Sequence, residues 1–246
     1  MKTLGLVGGM SWESTAIYYR LMNEAVQKEL GDLHSAKLLI WSFDFAEIAR
    51  LQATGEWDKA ADEMVKAGSA LKAAGADGLV ICTNTMHKLA DTLTQHVDLP
   101  LIHIADTTAA AIQAQKVQKA ALLATRFTME QDFYTGRLKA QHGIETIVPN
   151  DADRKIVHDI IYNELCKGMI KESSRTAYNQ IIEKMIAQGA QGIILGCTEI
   201  CMLINQEHVR VPVFDTTHIH ATQAVKWALD CPGNSTWQLA QNISCT

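Results

Sequence analysis

The sequence predicts an α/β fold built from two similar doubly wound lobes with parallel sheets. Three observations support this prediction: short apolar runs alternate with amphipathic stretches, one segment occurs twice, and polar clusters follow several of the apolar runs. Alternating strands and helices are typical of parallel sheets joined by right-handed crossovers. Two duplicated halves commonly hold a ligand in the crevice between them.

Eight short apolar runs have the length and composition of buried parallel strands. Strands of this kind are apolar on both faces and therefore show no alternation. In chain order the predicted strands are Leu4–Val7, Leu38–Trp41, Leu79–Ile81, Leu101–Ile104, Ala120–Ala124, Thr146–Val148, Ile193–Leu195 and Val211–Phe214.

The stretches between these strands have helical periodicity. Apolar side chains recur at helical spacing over residues 57–71 before Gly75, and again over residues 178–186 before Gly189. Glycine is a common residue just beyond the end of a helix, so both glycines are predicted to stop a helix.

One segment of the chain occurs twice. Residues 75–85 read GADGLVICTNT, and residues 189–199 read GAQGIILGCTE. In an ungapped alignment Thr83 falls on Cys197, at an offset of 197 − 83 = 114 residues. A period far above that of solenoid repeats indicates a duplicated domain.

The duplication predicts two lobes that exchange chain. The first lobe is expected to comprise residues 1–98 together with 212–231, and the second to comprise residues 99–211. Residues 232–246 are expected to form a tail, to which no role is assigned.

Composition limits the possible partners. The chain has 246 residues, is 48% hydrophobic and carries a formal charge of −5, so it can bury one or two cores without a basic stripe for nucleic acid. No stretch is long and apolar enough to cross a bilayer. Neither a nucleic acid nor a membrane is therefore an expected partner.

Cysteine usage and the amino end favour a cytoplasmic protein. The six cysteines show no framework spacing, and Met1-Lys2 passes straight into a strand, so no signal peptide is expected. Glycosylation patterns at Asn234 and Asn242 are then chance matches.

Polar clusters stand where strands end, and in parallel sheets ligands bind at this edge. The clusters are Gly8–Trp12, Cys82–Thr85, Thr125–Arg126 and Gly196–Glu199. Helix starts there offer free N–H groups, which hold carboxylates and lower the pKa of a thiol. The sequence therefore predicts one active site formed by both halves.

Three motifs, GGMSWEST from Gly8, CTNTMH from Cys82 and GCTE from Gly196, resemble the aspartate/glutamate racemase family. The similarity extends from Gly8 to about Trp227 and is closest to an enterobacterial branch with L-aspartate/glutamate or broad specificity. The resemblance implies a cofactor-independent amino-acid racemase with a cleft between two lobes, a small amino-acid substrate and a homodimer.

Most members of this family carry a cysteine in each half, and the two thiols flank the α-carbon of the substrate. Here Thr83 stands at the first position and Cys197 at the second, and we predict this pair as catalytic. Cys82 is the alternative to Thr83, but the repeat places it opposite Gly196. A slip of one residue on a strand end turns a side chain to the other face.

Racemisation needs two groups because the α-hydrogen leaves one face and a proton returns to the other. Cys197, at a helix start, is suited to act as a thiolate base. The Thr83 hydroxyl is a weaker acid, so the predicted enzyme is faster from the enantiomer whose α-hydrogen faces Cys197, and the resemblance implies that this is the L form. Since enantiomers have equal free energy, kcat and KM must then change together.

Hydrogen bonds to the α-carboxylate must stabilise the intermediate, because no pyridoxal phosphate signature is present and no cofactor is expected. The residues predicted to bind substrate are Met10, Ser11, Trp12, Gln52, Asn84, Thr85, Thr198 and Glu199, with Arg50, Cys82, His87 and Lys167 as further candidates. For the substrate side chain, Arg50 would offer a bidentate fork to a carboxylate, whereas Gln52 would also admit neutral side chains. The resemblance favours Gln52.

His218 and His220 alternate like a pair of metal ligands, but no cysteine or carboxylate joins them at ligand spacing. No metal site is therefore predicted. Two other functions stay open. One is a diacid isomerase or decarboxylase that uses one thiol, and the other is a two-lobed binder without turnover, against which the intact GCTE motif argues.

Overall fold

The chain folds into two parallel sheets of four strands each, as the sequence predicts. The structure is a computed structural model that describes residues 1–230, so Cys231, the predicted tail at 232–246 and both glycosylation patterns lie outside the described residues. In chain order the strands are β1 (Leu4–Gly8), β2 (Leu38–Ser42), β3 (Gly78–Ile81), β4 (Leu101–Ile102), β5 (Lys119–Ala124), β6 (Glu145–Ile147), β7 (Gly192–Gly196) and β8 (Val213–Asp215).

Both sheets have the same strand order. The first sheet is β2-β1-β3-β4 and the second is β6-β5-β7-β8, and all pairs are parallel. Each strand of the first sheet therefore has a counterpart at the same place in the second. This correspondence confirms the duplication that the repeated segment predicts.

Helices connect the strands and cover the sheets. They are α1 (Trp12–Leu30), α2 (Phe45–Thr54), α3 (Trp57–Ala73), α4 (Ala90–His96), α5 (Ile104–Ala114), α6 (Arg126–Glu130), α7 (Asp132–His142), α8 (Asp151–Asn163), α9 (Glu172–Ala187), α10 (Ile200–Leu203) and α11 (Thr216–Leu229). Short 3-10 helices occupy Thr85–Leu89, Leu165–Lys167 and Gln206–His208. None of the helices within residues 1–230 has the length and apolar character needed to cross a membrane.

The two helices before the repeated segments end in the same way. Beyond α3, Gly75 has a φ of 99°, and beyond α9, Gly189 has a φ of 94°. Glycine adopts this left-handed conformation without the steric cost that a Cβ would impose. Both helices therefore stop at the same point of the repeat and lead directly into β3 and β7.

Each lobe has its own apolar core. In the second lobe one cluster includes Leu122, Ile194 and Tyr178. In the first lobe, one cluster that includes Met64 and Leu79 contains residues of α2, α3 and α4, and another that includes Tyr18 and Val80 contains residues of α1 and α11. The four central strands are consequently fixed on both faces, which holds their carboxyl ends in place.

The strand pairing places the two crossovers later in the chain than predicted. β4 pairs with β3, so it belongs to the first sheet, although the boundary at 98 assigned it to the second lobe. β8 pairs with β7 in the second sheet, although residues 212–231 were assigned to the first lobe. The chain completes the edge strand of each sheet before it crosses, and the helices α5 and α11 then pack in the other lobe's core.

Candidate active site

A small cavity lies where the carboxyl ends of β1, β3, β5 and β7 meet. It is lined by both lobes: Met10, Ser14, Thr83, Asn84, Thr85, Thr125, Gly196, Cys197, Thr198 and Glu199. Among these residues only Glu199 carries a formal charge. The remaining walls consist of hydroxyl, amide, thiol and thioether groups, which suit a small polar molecule.

The loop after β1 brings Met10 to this cavity. Gly9 has a φ of 79°, and a Cβ at this position would lie 2.2 Å from the Phe43 backbone nitrogen. Only glycine fits such a close backbone approach. Its amide donates to Thr15 Oγ1 at 2.8 Å, which fixes the loop against the first turn of α1.

Cys197 and Glu199 form a direct pair on the second lobe. The Cys197 thiol donates to Glu199 Oε2 at 2.9 Å, and Glu199 is buried. Burial, and then the negative charge of Glu199, raise the pKa of the Cys197 thiol well above its usual value. The expectation that a helix start lowers this pKa is therefore wrong, since α10 has only four residues and burial and the carboxylate outweigh it.

Thr83 lines the cavity from the first lobe, whereas Cys82 does not. Cys82 is 1% exposed and packs with Leu6, Tyr18 and Val80 in the first-lobe core. Burial raises the pKa of the Cys82 thiol above its usual range, which keeps the thiol protonated. Both side chains thus lie where the register of the repeat predicts.

A chain of hydroxyl groups joins the lobes beside the cavity. Thr217 Oγ1 donates to Thr198 Oγ1 at 3.2 Å, and Ser14 Oγ donates to the Cys82 carbonyl oxygen at 3.2 Å. Thr198 Oγ1 and Ser14 Oγ are 2.7 Å apart. Because the Ser14 proton is directed at Cys82, the Thr198 hydroxyl donates to Ser14. Thr198, a predicted carboxylate donor, is therefore already engaged in this arrangement.

A second hydroxyl cluster spans the two lobes on another side of the cavity. Thr85 Oγ1 lies 3.1 Å from Thr125 Oγ1 and 3.2 Å from Thr128 Oγ1, and the last two are 3.3 Å apart. Three hydroxyl protons serve this triangle, and a hydroxyl proton can rotate toward another acceptor. Thr85 and Thr125, which line the cavity, can therefore donate to a bound anion.

Asn84 lines the cavity but directs its amide group elsewhere. Thr216 donates its hydroxyl proton to the Leu195 carbonyl oxygen at 2.8 Å and accepts from Asn84 Nδ2 at 3.1 Å. The Asn84 Oδ1 atom is buried and has no hydrogen-bond partner in the described chain. The Asn84 side chain can therefore still accept a hydrogen bond at Oδ1 and donate one through its second amide proton.

Two predicted residues of the opening loop lie outside the cavity lining. Ser11 is the N-cap of α1 and accepts a hydrogen bond from the Ser14 amide. Trp12 follows it and is 68% exposed. Their positions result from helix capping, which uses serine in the same pattern as a binding loop.

The two residues predicted for the substrate side chain also lie outside the lining. Arg50 Nη1 forms an ion pair with Glu56 Oε1 at 2.9 Å on the surface. Gln52 is buried, and its Nε2 donates to Met86 Sδ at 3.1 Å. Neither residue supplies a charge to the cavity in this structure.

The remaining candidates separate in the same way. His87 is buried and contacts the backbone of Thr83 without lining the cavity. Lys167 is exposed in the 3-10 helix Leu165–Lys167. His220 is buried against Tyr18, whereas His218 is exposed in the first turn of α11. Within residues 1–230 no group of three or more metal-ligating side chains is present.

Three residues line the cavity without a site role predicted from the sequence: Ser14, Thr125 and Gly196. Thr125 and Gly196 belong to polar clusters at strand ends, where ligands bind in parallel sheets, so their position in the cavity agrees with that expectation. Ser14 carried no such signal, because its partner Thr198 is 184 residues away in the chain.

The family model described as Asp/Glu/hydantoin racemase matches residues 7–224. A structure from Yersinia pestis described as a candidate Asp/Glu racemase is 56% identical, with a TM-score of 0.89 over 94% of this chain and 100% of that one. An aspartate racemase homologue from Pyrococcus horikoshii is 33% identical, with a TM-score of 0.83 and the same shares covered. The broad specificity amino-acid racemase RacX of Bacillus subtilis is 22% identical over 90% of this chain and 96% of its own length.

The racemase family model and the racemase-like relatives, found on a chain with two duplicated α/β lobes and a thiol in the cavity between them, indicate an isomerase of the racemase class. The chain belongs to the Asp/Glu/hydantoin racemase family. The resemblance seen in the sequence motifs is thereby confirmed.

Proposed function

We propose that this protein interconverts the L and D forms of an amino acid at the α-carbon, without a cofactor, with Cys197 serving one face and Thr83 the other. The observation that supports the proposal is the equivalence of the two positions. They correspond in the two halves of the duplication, and both line the same cavity. Two halves that face each other present their equivalent residues from opposite sides, as the reaction requires.

On the Cys197 face, the first event is loss of the thiol proton to Glu199. The 2.9 Å hydrogen bond already defines the path of this proton. The α-ammonium group of a bound amino acid adds a positive charge, which lowers the thiol pKa that burial and Glu199 raise. The thiolate then takes the α-hydrogen, and the electron pair of the C–H bond passes to the α-carbon and its carboxylate.

On the opposite face, the Thr83 hydroxyl gives its proton to the α-carbon. Its oxygen then takes a proton from water and Glu199 returns its proton to water, so that the cycle consumes no net proton. A hydroxyl is a weaker acid than a thiol, so the transfer to the α-carbon is the slower of the two from the L form. The two kcat/KM values must nevertheless be equal, since enantiomers have equal free energy.

We assign the α-carboxylate to Thr85 and Thr125. Their hydroxyls line the cavity and belong to a triangle that can release a proton toward an anion. Such donors stabilise the charge that moves onto the carboxylate as the α-hydrogen leaves. This assignment replaces Thr198, whose proton is directed at Ser14.

The substrate is aspartate, glutamate or a related amino acid. The cavity lining of the described chain contains no cation, so a second carboxylate would have no charged partner there. This feature favours substrates with neutral polar side chains, such as homoserine, over the two diacids.

The test is α-deuterium incorporation in D2O with L-aspartate, L-glutamate and L-homoserine. Two quantities are followed: total exchange at the α-carbon, and the D enantiomer formed per exchange, which we term the inversion-to-exchange ratio. Cys197→Ser should lower total exchange from L substrate by about 10²- to 10⁴-fold. Thr83→Val should lower mainly the ratio, because the Cys197 face still exchanges. No exchange by the wild type with any amino acid would refute the proposal.

A further inference from the structure

A cluster of three buried histidines lies beside the loop that carries Thr83. The ring centroid of His87 is 4.6 Å from that of His103 and 5.6 Å from that of His220. All three side chains are buried, and none lines the cavity. The proposed reaction does not use them, so their retention in the interior calls for another explanation.

The hydrogen bonds of His87 define a single neutral tautomer. Its Nδ1 lies 2.7 Å from the Thr83 carbonyl oxygen, which can only accept, so Nδ1 carries the proton. Its Nε2 accepts from the Ile104 amide at 3.2 Å. A protonated ring would direct two N–H groups at one another at Nε2. Burial, and then His103 and His220, hold the pKa of His87 well below its usual value.

His220 binds the chain between β4 and α5, as His87 does. It accepts from the Tyr18 hydroxyl at Nδ1, at 2.8 Å, and its Nε2 donates to the Ile102 carbonyl oxygen at 2.7 Å. Ile102 ends β4 and Ile104 begins α5, so both histidines bind the first crossover between the lobes. Through His87, the Thr83 backbone is therefore tied to that crossover.

The duplication repeats the contact between His87 and Thr83. The offset of 114 residues places Cys201 opposite His87, since 87 + 114 = 201. Cys201 Sγ lies 3.9 Å from the Cys197 carbonyl oxygen, just as His87 Nδ1 contacts the Thr83 carbonyl oxygen. In both halves, the side chain four residues after the proposed catalytic residue thus contacts the backbone carbonyl of that residue.

The two contacts differ in strength. A thiol is a weak donor at 3.9 Å, whereas an imidazole N–H at 2.7 Å is a strong one. The Cys197 carbonyl oxygen also accepts from the Ile200 amide at 3.1 Å. Thr83 is the weaker acid of the pair, and its backbone therefore receives the stronger side-chain hydrogen bond, the one from His87.

We propose that His87 is a positioning residue, which holds the Thr83 backbone so that the Thr83 hydroxyl faces the α-carbon. This inference rests on the proposed function, in which Thr83 serves one face of the substrate. His87 itself does not touch the substrate. A change at His87 should consequently impair one face of the reaction and spare the other.

Two substitutions separate the hydrogen bond from the bulk of the ring. In His87→Asn, the amide nitrogen can occupy the place of Nδ1 and still donate to the Thr83 carbonyl oxygen. His87→Phe keeps an aromatic ring without either hydrogen bond. His103→Asn is the matched control, because it alters the same cluster while asparagine can still cap α5, where His103 now accepts from the Ala105 amide.

The experiment measures the inversion-to-exchange ratio of these variants with L substrate in D2O. His87→Phe should lower the ratio roughly tenfold while total exchange at the Cys197 face changes by no more than about twofold. His87→Asn should recover most of the ratio, and His103→Asn should leave it unchanged. An unchanged ratio in His87→Phe, or an equal loss in His103→Asn, would overturn the inference.

Two further measurements keep the inference separate from the proposed function. In a crystal structure of His87→Phe, the Thr83 carbonyl should have moved; a Thr83 in its original place would contradict the inference alone. At neutral pH, nitrogen NMR of the wild type should show that His87 carries a proton on Nδ1 and none on Nε2. A Thr83→Val variant with the wild-type ratio would instead refute the proposed role of Thr83.

Discussion

The side-chain oxygens of Ser14 and Thr198 lie 2.7 Å apart, although 184 residues separate them in the chain. Ser14 stands in the first turn of α1 in the first lobe, and Thr198 follows the last residue of β7 by two positions in the second. The hydrogen bond therefore joins the lobes next to the proposed catalytic thiol. The opening between the lobes cannot widen at this point without breaking it.

Ser14→Ala should weaken both stability and catalysis. The substitution leaves the Cys82 carbonyl oxygen and the Thr198 proton without their partner, at a cost of about 1–3 kcal/mol in the free energy of unfolding. The kcat/KM for racemisation should fall roughly tenfold, because the position of Thr198 beside Cys197 is no longer fixed. Urea unfolding and steady-state kinetics measure the two effects. Ser69→Ala, on the exposed face of α3, is the control and should change neither.

Glu199→Gln should make the Cys197 thiol more acidic. The carboxylate is a cause of the raised thiol pKa, so its removal lowers that pKa, although burial still opposes ionisation. Alkylation of Cys197 by iodoacetamide at neutral pH, followed by mass spectrometry of its peptide, should become faster.

Racemisation by the same variant should become slower, because the acceptor of the thiol proton is lost. Faster alkylation together with slower turnover would support Glu199 as the proton acceptor. A substitution that merely exposed Cys197 would speed alkylation but would not explain the slower turnover. Glu13→Gln changes an exposed carboxylate and should behave as the wild type in both assays. Slower alkylation in Glu199→Gln would contradict the proposed pairing.

Thr83→Cys should convert a site with one thiol and one hydroxyl into a site with two thiols. A thiol is a stronger acid than a hydroxyl, so the return of a proton to the second face should no longer limit the reaction. The inversion-to-exchange ratio should rise above the wild-type value, and kcat should increase from both enantiomers. Thr83→Val has a similar volume without an acidic proton and should shift the ratio in the opposite direction.

Cys82→Ala should affect stability only. Cys82 is enclosed in the first-lobe core, so loss of its sulfur should cost about 1 kcal/mol in the free energy of unfolding. Total exchange and the inversion-to-exchange ratio should match those of the wild type. A loss of exchange in a folded Cys82→Ala variant would instead favour Cys82 over Thr83.

Acid should unfold the protein through its buried histidines. Burial lowers the pKa of His103 to about 3 and that of His220 to about 4, and it also lowers the pKa of His87. Below pH ~6.5 the unfolded chain takes up these protons while the folded chain does not, so stability falls as pH falls toward 4. Each histidine contributes a slope of about 1.4 kcal/mol per pH unit in this window.

Urea midpoints between neutral pH and pH ~4.5 measure that slope. His103→Asn removes one of the three groups, so its stability should depend less steeply on pH than that of the wild type. An equal slope in both proteins would show that His103 does not contribute to the acid sensitivity in this pH window.

The sequence predicts the strands, the duplication and the positions of Thr83 and Cys197 because these features depend on short-range pattern. Buried parallel strands are apolar runs, and the register of a repeat fixes which side chain faces the cavity. The separation of Thr83 from its neighbour Cys82 follows from that register alone.

The surroundings of the site depend on contacts that no local pattern encodes. Ser14 meets Thr198, and Thr85 meets Thr125, only after the lobes have packed together. Arg50 and Gln52 show the converse case. Both belong to α2, and the face that this helix turns to the core directs one to the solvent and the other to Met86.

The place of α11 has a consequence for synthesis of the chain. Ala221, Val225 and Ala228 of this helix complete the first-lobe core, although all strands of that lobe lie before residue 103. On the ribosome, domains fold as their residues emerge. The second lobe, continuous from α5 to β8, can therefore fold before the first. The half that is translated first is therefore the last to be completed, because α1 covers only part of the sheet face that α11 closes.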